Sequence, residues 1–130
     1  MDTNLVLRDG STHLTADETL TAVTIGPMTR PIWLHVITEA ASEANDKIDV
    51  ELEFCTAAAP TTQVMNVNSP QMAVAVDSVH MAIPFIMPPG LTSLQVKLDI
   101  TDADGGGDFD AGHVKVWLDT TNRYAGAYAS

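Results

Sequence analysis

Between Thr101 and Asp110 the chain gathers Asp102, Asp104, Asp108 and Asp110 around three consecutive glycines, with Asp99 just ahead of them. Carboxylates on flexible backbone are hard oxygen ligands of the kind Ca²⁺ takes. Asp102 and Asp104 fit the first and third positions of an EF-hand loop, but Gly106 stands where the next ligand belongs and no Glu closes the loop. A solvated loop whose aspartates cap their own turns is the stronger expectation. Asp102, Asp104, Asp108 and Asp110 remain the candidate Ca²⁺ ligands, and no other cofactor is expected.

The other reactive residue types are scattered. His13, His35, His80 and His113 share no ligand spacing, so they read as surface or satisfied strand residues. His113 near Asp110 has the makings of a base and its orienter. None of Ser11, Ser42, Ser69, Ser78 and Ser93 sits in a strained nucleophile turn, however, and a hydrolase is the weakest reading. Cys55 has no His or cation beside it and should be inert. As the single cysteine it excludes an intrachain disulfide and an all-cysteine metal site. Asp49, Glu51 and Glu53 alternate along one segment; a paired-carboxylate site could use such a row, but it is also the ordinary solvent face of an antiparallel sheet.

The elements that must position these groups are strands. Leu94, Val96, Leu98 and Ile100 alternate with Gln95, Lys97 and Asp99, and a period of two puts the apolar set on one face. Ile48, Val50, Leu52 and Phe54 repeat the pattern over Lys47–Cys55, and Val114, Val116 and Leu118 repeat it near the C-terminus. The acidic glycine loop then joins two antiparallel strands. Ile32–Thr38 is apolar on both faces apart from His35, as in a strand covered on both sides. Pro84 marks His80–Ile86 as an edge strand or bulge, and Thr62–Asn68 with Met72–Asp77 reads as a hairpin of weak strands. Asn4–Leu7 is a short apolar run stopped by the turn signal Arg8-Asp9-Gly10-Ser11. Residues 1–10 are therefore a candidate N-terminal arm and residues 120–130 a tail. Amphipathic strands need a second apolar surface, so the expectation is an all-β, antiparallel β-sandwich in one domain, jelly-roll-like or immunoglobulin-like. Trp33 and Trp117 lie opposite the core rows, where they would serve a subunit contact or, less well, a sugar platform.

Composition narrows the partners. With 130 residues the chain is long enough to bury a core without staples. Six basic against 17 acidic residues give a net charge of −11, which opposes phosphate contacts, so no nucleic-acid partner is expected. No segment nears the roughly 20 apolar residues of a membrane span, and the N-terminus lacks the pattern of a signal peptide. The expectation is a protein made in the cytoplasm and kept there or assembled into something larger.

The layout resembles the small virion proteins that decorate tailed-bacteriophage capsids. The likeness lies in the opening Asn4-Leu5-Val6-Leu7-Arg8-Asp9-Gly10, the Thr-rich segment after it and the alternating Asp46–Phe54 strand. It continues in the Ile83-Pro84-Phe85 turn into Leu94–Ile100, the Gly/Asp loop, and the Val114–Leu118 strand before a tyrosine-containing tail. The resemblance implies a β-sandwich or jelly-roll on the outer capsid surface, often a trimer, that strengthens contacts between major capsid protein subunits and has no catalytic residues. On that reading the contact residues are Leu5 and Leu7 in the arm, Trp33, Trp117, Tyr124 and Tyr128. The alternative is a carbohydrate- or calcium-dependent binding module built on Trp117 and the Asp102–Asp110 loop.

Overall fold

In the computed structural model, residues 4–25, 30–39, 46–68, 72–73, 80–102 and 109–119 are described, and every regular element among them is a β-strand. In chain order these are β1 (Asn4–His13), β2 (Glu18–Thr19), β3 (Val23–Thr24), β4 (Ile32–Ile37) and β5 (Lys47–Cys55). They are followed by β6 (Gln63–Asn68), β7 (Met72–Ala73), β8 (His80–Phe85), β9 (Ser93–Thr101) and β10 (His113–Asp119). One sheet runs β1-β10-β4-β8. The other has β9 and β5 at its centre, with β2 and β3 both pairing along β9, and β6 and β7 both along β5. Every pairing is antiparallel.

If β2–β3 and β6–β7 each count as one interrupted edge strand, eight strand positions remain, and the sheets read 1-8-3-6 and 2-7-4-5. This is a jelly-roll order, and it sets aside the immunoglobulin alternative, whose sheets group the strands differently. The alternation read from sequence supplies the two facing layers. Ile48, Val50, Leu52, Leu94, Val96 and Leu98 come from one sheet and Leu34, Val36, Val114, Val116 and Leu118 from the other; all are buried in one core. Each such side chain contributes roughly 1.5–3 kcal/mol relative to leaving it exposed.

Three sequence-based expectations change. First, β9 and β10 do not pair with each other; they lie in different sheets, so the chain between them crosses the sandwich instead of closing a hairpin. Residues 103–108 of that crossing, including Asp104 and Asp108, are outside the described residues. Second, β6 and β7 both pair with β5 and form no hairpin with each other. Third, residues 4–10 are not a free arm, because β1 continues through the Arg8–Ser11 turn signal and pairs with β10.

That continuation depends on bulges. Between Val6 and Arg8 the register with β10 slips, leaving Leu7 as an extra residue, and Arg8 then falls opposite the core residue Val116. Its guanidinium is thereby turned inward and buried. There it donates to the Val114 carbonyl at 2.6 Å and to both carboxylate oxygens of Glu18 at 3.0 and 3.3 Å, tying β1 to β2 in the opposite sheet. Leu5 and Leu7 are half-buried and pack against the core.

Candidate functional site

The outer face of the β1-β10-β4-β8 sheet is read most easily as cross-strand rows. Val6, Trp117, His35 and Ala82 form one row, and Asp9, Lys115, Ile37 and His80 the next. Trp117 and Ile37 are buried as a small cluster outside the main core, and His35 is fully buried. The Trp117 ring lies parallel to His35 with centroids 4.8 Å apart, and Lys115 Nζ stands 5.9 Å from the Trp117 centroid. His35 Nδ1 is 2.9 Å from His80 Nε2, their rings parallel within 4°. Burial, reinforced by the positive charge that His35 would carry, holds His80 below the usual histidine range. Trp117, expected as a contact residue, is 1% exposed in the isolated chain and is not available to a partner or a sugar. Trp33 is half-buried. Tyr124 and Tyr128 lie outside the described residues.

The second histidine pair lies at one end of the same sheet. A second register shift in β1, between Asp9 and His13, brings His13 directly opposite His113. The two Nε2 atoms are 3.2 Å apart, with the rings edge to face at 4.4 Å. His13 Nδ1 is 2.9 Å from Asp110 Oδ2, and Asp110 Oδ1 accepts from the Gly112 amide at 2.8 Å. Those bonds, the one from His13 foremost, hold the Asp110 carboxyl below its ordinary range. His113 Nδ1 is 2.6 Å from the Gly10 carbonyl, and the His113 amide donates to Glu39 Oε2 at 3.2 Å. Asp110 thus orients His13, and not the His113 that sequence proximity offered as its partner. Of the candidate Ca²⁺ ligands, Asp110 is already engaged, and Asp102 is the other one in the described part of the loop.

The acidic row on β5 is partly internalised. Glu53 is 2% exposed and forms an ion pair with Lys97 on β9 at 2.8 Å, an interaction that raises the Lys97 pKa. Crowding near the opposite end, with burial first and then the charges of Asp17, Glu51 and Asp49, pushes the Asp99 carboxyl up. Burial likewise raises the Cys55 thiol, in keeping with an inert residue. A surface hollow of about 310 Å³ lies along Ile86–Thr92; its lining side chains are apolar apart from Thr92 and none can titrate.

The sheet edges differ in a way sequence patterning did not disclose. β8 carries Pro84, β2 and β3 are two residues each, and β1 is bulged; each is a recognised means of blunting an edge. β6 is six residues without a charge or a proline, and every one is exposed. Val64 is 60%, Met65 49% and Val67 47% exposed, although Met65 and Val67 lie opposite the core residues Phe54 and Leu52. One bulge at Val64 is its single irregularity.

No protein-family model and no curated protein matches the chain. Among solved structures it is similar to the insecticidal delta-endotoxin Cry8Ea1 of Bacillus thuringiensis, at 13% identity and a TM-score of 0.42, over 85% of this chain and 19% of the toxin. It is also similar to a family 16 carbohydrate binding module-2, at 12% identity and a TM-score of 0.42, over 82% of this chain and 70% of the module.

Proposed function

We propose that this jelly-roll is a non-enzymatic structural protein that joins a larger protein assembly, and that the assembly is the outer surface of a tailed-bacteriophage capsid, where it acts as a decoration or cement protein. The observation that carries the reading is β6. An uncharged edge strand that exposes Val64, Met65 and Val67 on a chain of net charge −11 is suited to strand addition or apolar contact with another protein. The capsid as the particular assembly, with a homotrimer as the oligomer, rests on the sequence layout. Val64, Met65 and Val67 replace Trp117, Leu5 and Leu7 as the contact residues, because the latter three are wholly or partly turned into the fold. The carbohydrate- or calcium-dependent alternative is less well supported, since Trp117 is buried and Asp110 is held by His13 and Gly112.

The test is sedimentation of the purified protein with assembled capsids and, separately, with free capsid subunits. Saturable binding to capsids alone is expected, and a Val64→Lys/Val67→Lys double variant should lose at least about tenfold in affinity, as expected when an apolar contact gains buried charge, with its melting temperature kept. Wild-type protein that ignores capsids, or a double variant that binds as well as wild type, would refute the proposal.

A further inference from the structure

We propose that His13 and His113 form a binding site for a divalent transition-metal ion of the Zn²⁺ type, held through their two Nε2 atoms. Proton placement on the two rings is the starting point. The partner of His13 Nδ1 is a carboxylate and that of His113 Nδ1 is a backbone carbonyl, and both groups only accept. Each Nδ1 must therefore carry a proton. In the neutral imidazoles both Nε2 atoms are then left with bare lone pairs, and the fold holds them 3.2 Å apart. A shared cation, either one further proton or a metal ion, removes the conflict.

A metal ion suits the spacing. Two imidazole nitrogens at about 2.0–2.1 Å from Zn²⁺ and at the tetrahedral angle stand roughly 3.3–3.4 Å from each other. The outer partners are also those that metal-bound histidines use, a carboxylate on one ring and a backbone carbonyl on the other, fixing tautomer and orientation. Both ligands sit on paired strands, opposite each other in register. The His13 side chain is 47% exposed, so an ion can reach it from solvent. Among the described residues no third His, Cys, Asp or Glu joins the pair to make a larger group. The remaining coordination positions belong to water or to a donor from another molecule. Imidazole favours Zn²⁺, Ni²⁺ and Cu²⁺ over the oxygen-seeking Mg²⁺ and Ca²⁺.

The experiment is a titration of the full chain, without a polyhistidine tag, with ZnCl₂ near neutral pH, followed by calorimetry and by ¹⁵N spectra of the histidine rings. The expected result is saturable binding of a single ion that excess Mg²⁺ does not displace. The His13 and His113 Nε2 resonances should move while those of His35 and His80 stay. His13→Gln and His113→Gln should each weaken binding by tenfold or more, Asp110→Asn by about tenfold through loss of the outer partner's negative charge, and His80→Gln should leave it unchanged. Three outcomes overturn the proposal: no saturable binding, binding that survives the His13→Gln/His113→Gln double variant, or resonance shifts confined to His35 and His80. The ring spectra are taken on the wild-type protein, so the proposal can fail whether or not a variant folds.

Discussion

The two histidine pairs share a sheet and a face but differ in what surrounds them. His35 and His80 lie beside Trp117, joined through Nδ1 and Nε2, and burial opposes the charging of His80. His13 and His113 sit at the open end of β1 and β10, each ring held from behind by an acceptor and each Nε2 turned toward the other. Burial makes the first pair part of the packing; exposure and fixed tautomers leave the second pair with unsatisfied chemistry. The same residue type thus does structural work in one place and is poised for a ligand in the other.

The sharpest way to break this contrast is to remove the packing. Trp117→Ala should cost about 3–5 kcal/mol in denaturant unfolding, the range for deleting a buried Trp side chain. His113→Ala, four residues earlier on the same strand and exposed, should cost within about 0.5–1 kcal/mol. Comparable losses from the two would mean that the Trp117 cluster is not a packed unit. The next effect is on pH dependence. Because His80 titrates below the usual range when folded, the unfolded chain binds its proton first as pH falls, and stability declines through that interval. The decline should begin near the ordinary value of 6.5 and run down to the lowered one. A thermal-melt series from pH 7.5 to pH 5 should show this slope in wild type and a flatter one in His80→Gln. An equal slope in both would remove His80 as its source.

These pairs also mark the limit of what is legible in the sequence. Period-two alternation identifies β5, β9 and β10 and their inward residues, because a strand with one buried face writes that face into its sequence. Pairing partners are not written there. β9 and β10 have the same local pattern whether they close a hairpin or cross between sheets, and the expectation of a hairpin fails for that reason. β1 reads too short because its bulges break the alternation on which the reading depends. The histidines that meet are 100 and 45 residues apart in sequence, and one of those meetings requires the two register shifts in β1. Alternation does place Trp117 on the outer face; that the outer face is covered there is a tertiary fact. The β6 segment is recognisable as a weak strand, but its position at an edge follows from sheet order alone.

The smallest effect tests the exposed pair. Asp110→Asn keeps an acceptor near His13 Nδ1 but removes the charge from the bonds to His13 and Gly112, so near neutral pH it should cost about 0.5–1 kcal/mol after allowance for solvent screening. Asp110 is depressed below 3.8 in the fold, so its contribution is complete above that value and is lost only as pH falls through the lowered one. The gap between wild type and Asp110→Asn in equilibrium unfolding should therefore hold steady from pH 7 to pH 5 and close below pH 3.8. The His80 contribution is lost in the histidine range and that of the carboxylate behind the exposed pair in the acid range, so the two regions can be separated on one pH axis. If the Asp110 gap instead closed between pH 7 and pH 5, the carboxylate would not be the acceptor that fixes the His13 tautomer, and the facing lone pairs would lose their cause.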